Sequence, residues 1–275
     1  MKPYANITLQ GVTVMQIHQF QPIVSFIWSV ADDLLRDVYV KGKYRDVILP
    51  MTILRRLDVI LEPTKDEVLE TYNKYKDIAD KDTLNTLLCK TSEATFYNHS
   101  KFTLKMLLND PKNIRANFEN YLDGFSENID DIIAKFKFQN QLDTLEDAKI
   151  LLGVIERFCS PKINLSMHDI KDDKGEILHK GLSNLGMGYV FEELIRRFNE
   201  ENNEEAGEHF TPRELIDLMT HLVFLPVKDK IQKGAFSIYD NACGSGGMLT
   251  ESKEFIIDQS GPIHSKAQII FTDKR

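Results

Sequence analysis

Apolar residues recur at helical spacing through the first two thirds of the chain. Ile23, Phe26, Val30 and Leu34 form one such row, and the neighbouring charged residues fall off it. Rows of this kind predict helices over residues 22–37, 44–61, 66–79, 110–122, 126–136 and 144–158. Because strand-like alternation is scarce, the pattern favours an all-helical domain over about residues 20–160, with the apolar rows as its core.

Proline and capping residues mark where these helices begin and end. Pro50 falls inside the second helix and should kink it or mark a new start. Asp110 followed by Pro111 is a start signal, and Ser126 and Thr144 open the next two helices. The sequence therefore predicts about six helices in this region.

The last third of the chain changes character. The polar, glycine-containing stretch of residues 169–183 is typical of an exposed linker. A strong helix is predicted over residues 184–199, and an acidic, Asn-rich loop follows over residues 200–205. We therefore expect an N-terminal helical domain over residues 1–168, the linker, and a second domain over residues 184–275.

A capping box opens the next helix of the second domain. Thr211 is the predicted N-cap, Pro212 takes the first helical position, and Glu214 stands three residues after the cap. The sequence therefore predicts a helix that begins directly after Thr211.

A strand, a glycine-rich turn and a helix follow over residues 236–257, and a second strand is predicted over residues 267–272. Glycines in such a turn let backbone N–H groups approach a ligand closely. No lysine follows Gly247, which excludes a P-loop, and Cys243 replaces the first glycine of a nucleophile elbow. Leu249 replaces the third glycine of the dinucleotide fingerprint. The remaining pattern is Asp240-x-x-x-Gly244-x-Gly, typical of S-adenosylmethionine-dependent methyltransferases.

Composition narrows the function classes. The 42 acidic and 34 basic residues give a net charge of −8, so the chain is a poor stand-alone binder of nucleic-acid backbones. The three cysteines lie far apart and lack a metal-ligand spacing, which argues against disulfides and a zinc site. Neither a membrane-length apolar run nor a signal peptide is evident, so we expect a cytoplasmic protein.

Three segments, in this order, resemble the methylation (M) subunit of type I restriction-modification systems, which are adenine-N6 DNA methyltransferases. The matching segments are residues 27–57, residues 187–195, and the motif pair His209-Phe210-Thr211-Pro212 and residues 239–249. The resemblance is clear over residues 25–60 and 184–257, whereas only helical character agrees over residues 62–183. It implies a mostly α fold, in which the helical domain precedes the beginning of a Rossmann-like α/β class I methyltransferase domain.

The resemblance also implies a cofactor, S-adenosyl-L-methionine, and the residues that bind it. These residues are Glu208, His209, Phe210, Thr211, Pro212, Asp240, Gly244, Ser245, Gly246 and Gly247. Asp240 would orient the loop or the ammonium group of the cofactor. A structural interpretation competes at several positions: Thr211 as a cap, His209 as a packing residue and Cys243 as a small buried filler.

The catalytic motif of that family, Asn/Asp-Pro-Pro-Tyr/Phe, has no match. Its polar groups accept hydrogen bonds from the exocyclic amine of a flipped-out adenine, and its aromatic ring stacks on the base. The nine prolines of this chain include no adjacent pair, and Asp273 is only a weak match to the acidic residue that holds the ribose. We therefore expect an N-terminal fragment that is catalytically inactive alone and assign no catalytic residue.

Partners follow from the same resemblance. A specificity (S) subunit would choose the DNA sequence, a restriction (R) subunit would join the complex, and DNA would be reached through that complex, with no membrane involved. One alternative is a non-catalytic helical interaction module that docks the specificity subunit and DNA. A second alternative is a methyltransferase that acts on protein or RNA.

Overall fold

Helices dominate the first two hundred residues of the computed structural model, which describes residues 12–202, 211–231, 235–243, 246–259 and 268–271. The chain divides into two compact units, residues 1–202 and 203–275. The helices of the first unit are α1 (Val12–Val30), α2 (Arg45–Leu61), α3 (Lys65–Tyr75), α4 (Lys81–Thr91), α5 (Leu104–Leu107), α6 (Ile114–Asp123), α7 (Glu127–Lys135), α8 (Gln139–Asp147), α9 (Leu151–Phe158) and α10 (Asn184–Glu201). Between α9 and α10 lies an antiparallel hairpin of β1 (Ile170–Lys171) and β2 (Ile177–His179).

One apolar core holds the first unit together. Ile27 of α1, Met51 of α2, Phe118 of α6 and Phe158 of α9 are 1% exposed or less and belong to the same cluster. Each such side chain contributes roughly 1.5–3 kcal/mol by its removal from water. The apolar residues that recur at helical spacing in the sequence therefore form the core of the first unit.

Helix α10 packs against α1 within the first unit. The Trp28 and Phe198 rings lie 4.9 Å apart, and Phe20 stacks on Tyr189 at 6.0 Å. The Arg197 guanidinium also donates to Oε1 of Gln21 at 2.9 Å. The first compact unit thus ends at residue 202, after α10. The sequence predicts instead that a domain begins at residue 184, before α10, and that domain start stays a prediction.

The strongest sequence patterns become helices, with one correction. Pro50 lies buried inside α2 and starts no new helix, because this helix is buried on most of its surface and packing offsets the proline cost of about 3 kcal/mol. The kink, the other possibility that the sequence offers at Pro50, stays a prediction. Thr144 does not open a helix but lies within α8. The break comes later, where Lys149 adopts a left-handed φ of 59° and α9 begins at Leu151.

Two helices lie where the sequence analysis predicts no element. Asp80 caps α4 by accepting the N–H of Thr83 at 3.0 Å, and Thr103 caps the single turn of α5 by accepting the N–H of Met106 at 3.2 Å. Helix α4 buries only Leu88 and α5 is a single turn, so their apolar signal is weak.

The predicted linker contains the β1–β2 hairpin, and a buried side chain fixes the base of this hairpin. Asn164 donates from Nδ2 to the carbonyls of His168 at 2.7 Å and Lys180 at 3.1 Å, and its Oδ1 accepts the N–H of Ser166. Gly181 packs so closely that an added Cβ would clash with the carbonyl oxygen of Met167. The strands themselves are largely exposed, as the polar sequence predicts.

Lys65 is a buried amine in the first unit. Its Nζ donates to the backbone oxygen of Asn98 at 3.1 Å and to Oδ1 of the same residue at 3.0 Å, and the residue is 8% exposed. Burial lowers the pKa of Lys65 from 10.5 to about 8, while the charges of Asp58 and Asp66 act in the opposite direction. The charged amine is therefore disfavoured in the fold relative to the unfolded chain.

We expect the stability of the first unit to depend on pH through Lys65. Its folded pKa lies below its unfolded pKa, so the cost of the buried charge is fully present below about pH 8 and is relieved as the pH rises towards 10.5. Relative to Lys65→Met, the wild type should gain about 2 kcal/mol between pH 7 and pH 9.5. Urea unfolding of both proteins at the two pH values measures this gain, and a difference that stays constant would contradict the assignment.

The second unit is smaller and mixes helices with strands. Its described elements are α11 (Arg213–Phe224), a 3₁₀ helix (Leu225–Lys230), β3 (Ala235–Ile238), α12 (Gly247–Gln259) and β4 (Gln268–Phe271). The two strands pair in parallel, with Ala235 opposite Gln268 and Ile238 opposite Phe271. A parallel pair needs a crossover connection, which α12 supplies, so this is a β-α-β unit.

Candidate functional site

The candidate site lies at the carboxyl end of β3, where the chain turns into α12. Ligands of open α/β sheets bind at this edge, because loops and helix N-termini converge there. Asp240 opens the turn, and its Oδ1 accepts the N–H of Ala242 at 3.0 Å. The N–H of Gly246 donates to the carbonyl of Cys243 at 2.7 Å and closes the turn. These bonds fix the described parts of the loop, residues 240–243 and Gly246.

The first turn of α12 is tied to the same loop. The carbonyl of Gly246 accepts the N–H of Thr250 at 2.9 Å and the hydroxyl of the same residue at 3.0 Å. The first N–H groups of a helix have no partner within it, so they point back towards the loop. The N-terminus of α12 therefore offers donors and a positive dipole beside Gly246.

The two described glycines of the loop serve different purposes. Gly246 has a φ of +81°, which favours glycine, and no described heavy atom lies within 4 Å of the place a Cβ would take. At Gly247 an added Cβ would lie 2.6 Å from Cδ1 of Ile216. Gly246 thus supplies the left-handed turn, whereas Gly247 lets α11 approach closely.

Helix α11 packs on α12 through a small apolar core. Ile216 is 3% exposed, and Phe255 of α12 is 7% exposed. The ring of Phe255 meets His221 edge-on at 4.8 Å and Phe224 at 5.9 Å. This core keeps the start of α11 close to the glycine-rich loop.

The start of α11 differs by one residue from the predicted capping box. The N-cap is Pro212, with a ψ of 140°, and Thr211 lies outside the helix and is exposed. The carbonyl of Pro212 accepts the N–H groups of Leu215 at 3.0 Å and Ile216 at 3.1 Å. Because the extended Pro212 already supplies the first helical acceptor, the helix begins at Arg213 and Thr211 is not its cap.

Two family models match the chain. The HsdM N-terminal domain matches residues 23–158, and the N-6 DNA Methylase model matches residues 182–271. The chain belongs to the methylation-subunit family of type I restriction-modification systems. The predicted architecture, a helical domain followed by an α/β methylase segment, is thereby confirmed. The methylase match includes α10, although this helix packs in the first unit.

A curated relative supports the same family. The Type I restriction enzyme HindI methylase subunit of Haemophilus influenzae is 28% identical over 91 residues, which are 33% of this chain and 18% of that relative. The chain therefore aligns with under a fifth of the length of the relative. No solved structure matches the chain.

Half of the cofactor residues implied by the M-subunit resemblance can be placed. Thr211, Pro212, Asp240, Gly246 and Gly247 lie in the second unit, on the loop and at the start of α11. The other five lie outside the described residues: Glu208, His209, Phe210, Gly244 and Ser245. The described members of the two motifs meet at Ile216, which bonds to Pro212 and fills the space beside Gly247.

Ile216 is the residue of this site that the sequence analysis misses. Its position in an apolar helical row predicts burial but not its neighbour, because the contact joins residues about thirty positions apart. The one sequence feature that could have pointed to Ile216 is its position four residues after Pro212, on the inward side of the helix.

The cysteines Cys89, Cys159 and Cys243 are all free thiols. Among the described residues, no group of three or more His, Cys, Asp or Glu side chains could hold a metal ion. In the same part of the chain, no helix has the length and apolar character needed to span a membrane.

Proposed function

We propose that the second unit provides the S-adenosyl-L-methionine-binding segment of an adenine-N6 DNA methyltransferase, acting as an M subunit. The observation that carries the proposal is Gly246, whose left-handed backbone joins the Asp240 turn to the N-terminus of α12 and has no described heavy atom within 4 Å of the place a Cβ would take. A Cβ at this position would enter the space where the cofactor would lie.

The chemistry of the described residues fits this cofactor. The N–H groups and dipole at the starts of α11 and α12 suit the cofactor carboxylate. The carboxylate of Asp240 suits its ammonium group, and the bond of Asp240 to Ala242 holds the loop for that contact. The proposed contacts are Glu208, His209, Phe210, Thr211, Pro212, Asp240, Gly244, Ser245, Gly246 and Gly247.

The cofactor, when bound, supplies an electrophilic methyl group on a sulfonium centre. The residues of this chain would bind the methionine part, orient it and keep the loop in one conformation. Recognition of adenine would need the Asn/Asp-Pro-Pro-Tyr/Phe motif, which this sequence does not contain. We therefore propose that the chain binds the cofactor but transfers no methyl group alone.

In the complete system we propose a specificity subunit and a restriction subunit as partners. The net charge of −8 supports this division of labour, because such a chain needs another subunit to hold the DNA backbone. The helical unit is the candidate docking element for the specificity subunit. The alternative of a purely non-catalytic interaction module predicts partner binding without cofactor affinity.

Calorimetry of the 275-residue chain with S-adenosyl-L-methionine tests the proposal. We expect saturable binding with one site, and no incorporation of labelled methyl into unmethylated DNA. Pull-down with a cognate specificity subunit separates the alternatives. Partner capture without measurable cofactor binding would favour the interaction module, and methyl transfer by the chain alone would contradict the proposed inactivity.

A further inference from the structure

One side chain links the two segments that the proposed cofactor site uses. Ile216 is 3% exposed and belongs to the first turn of α11, where its N–H bonds to the carbonyl of Pro212 at 3.1 Å. Its Cδ1 occupies the space beside Gly247, the first residue of α12. A single residue thus contacts both helix starts.

The backbone of Gly247 does not itself require glycine. Its φ lies outside the left-handed region, in contrast to Gly246, and it stands at a helical position where alanine is the better helix former. The described obstacle to a Cβ is Cδ1 of Ile216 at 2.6 Å, followed by its Cγ1 at 3.8 Å. The absence of a side chain at Gly247 is therefore explained by this contact.

We propose that Ile216 is a positioning residue, which seats on Gly247 and fixes the glycine-rich loop relative to the start of α11. The role rests on the proposed cofactor site, because the contact sets the distance between the two sets of backbone donors. The missing side chain of Gly247 thus serves packing against Ile216, while its backbone N–H remains one of the proposed cofactor contacts. Ile216 itself need not touch the cofactor.

Two substitutions, one that enlarges residue 247 and one that shortens residue 216, test this role. Gly247→Ala adds one carbon at the contact, and Ile216→Val removes Cδ1, the atom that this carbon would meet. We expect Gly247→Ala to speed amide hydrogen exchange over residues 239–250 and to weaken S-adenosyl-L-methionine binding about tenfold. The double variant Ile216→Val/Gly247→Ala should return both readouts to within about twofold of the wild type, which additive effects cannot do.

Ile256 provides the matched control. It is a 3% exposed isoleucine on α12, and Ile256→Val removes the same δ-methyl group from a buried side chain that does not face Gly247 in the described contacts. Combined with Gly247→Ala, it should not restore exchange protection or affinity. Equal rescue by Ile256→Val, or no rescue by Ile216→Val, would overturn the positioning role.

The two proposals fail in different ways. A wild-type chain without cofactor affinity would contradict the proposed function, while the exchange measurements would still decide whether Ile216 and Gly247 are coupled. If the wild type binds the cofactor normally and the effects of Ile216→Val and Gly247→Ala on affinity are additive, the positioning role is contradicted and the proposed function is not.

Discussion

Replacing Asp58 by alanine should lower the free energy of unfolding of the first unit by about 3–5 kcal/mol. Asp58 lies on α2 and is 4% exposed. Its Oδ2 accepts from Nη1 of Arg55 at 2.7 Å, and its Oδ1 accepts the N–H of Leu104 at 3.1 Å, at the start of α5. The substitution leaves a buried guanidinium unpaired and removes the contact that anchors α5 to α2.

The electrostatics of the pair explain why removal of one partner costs more than the pair contributes. Burial raises the pKa of Asp58, while the charge of Arg55 and the N–H of Leu104 act in the opposite direction. Desolvation thus exceeds the attraction. Removing both charges with Arg55→Met/Asp58→Ala should therefore recover part of the loss, as a double-mutant cycle in urea would show.

An exposed ion pair of equal length provides the control. Lys81 and Glu127 also lie 2.7 Å apart, but their side chains are 79% and 72% exposed. Lys81→Ala should leave the free energy of unfolding unchanged within experimental error, since water solvates the remaining carboxylate. A similar loss for Lys81→Ala and Asp58→Ala would refute the assigned role of burial.

Replacing Gly246 by alanine should have the largest effect on cofactor binding. Its φ of +81° strains any residue with a Cβ by about 1 kcal/mol, and the new methyl group would point into the proposed ligand space. We expect the affinity for S-adenosyl-L-methionine to fall by more than tenfold in calorimetry. The added methyl group and the strain at the left-handed φ both lower the affinity of Gly246→Ala for the cofactor.

Gly175 matches Gly246 closely enough to separate strain from binding. It lies in the exposed turn between β1 and β2, has a φ of +82°, and likewise has no described atom within 4 Å of a built Cβ. Gly175→Ala should therefore cost similar stability and leave cofactor affinity intact. Equal affinity losses for both variants would mean that the effect of Gly246 is not local.

The long helices could be predicted because the apolar residues along one side of each helix are the residues that it buries in the core. Helices α2 and α10 follow the predicted spans closely, since Val47, Met51, Val190 and Leu194 are fully buried at helical spacing. The β-α-β unit could be predicted for a similar reason: a short apolar strand, a glycine turn and a helix have distinct patterns. In both cases the local signal and the tertiary burial agree.

The ends of α4 and α8 were harder to predict, because their stop signals are not glycine. Glu93 and Lys149 adopt φ values of 53° and 59°, each two residues after the last residue of its helix. Non-glycine residues in this conformation are uncommon, so composition does not reveal them. Tertiary packing of the flanking helices must offset the backbone strain at these positions.

The candidate site could be predicted only in part. Its glycines and Asp240 stand out locally, because a turn needs them. The contact between Ile216 and Gly247 depends on how α11 crosses α12, and no local pattern contains that information. The division into units at residue 202 is likewise a matter of packing, because α10 buries its apolar face against α1.

The location of the bound cofactor tests the central claim most directly. A chain labelled with ¹⁵N-glycine carries 14 probes, which include Gly246 and Gly247 as well as Gly153 and Gly175 in the helical unit and hairpin. On titration with S-adenosyl-L-methionine, the amide signals of Gly246 and Gly247 should shift while those of Gly153 and Gly175 stay in place. Saturable shifts at Gly153 or Gly175, with Gly246 and Gly247 unmoved, would contradict a cofactor site on the β3–α12 loop.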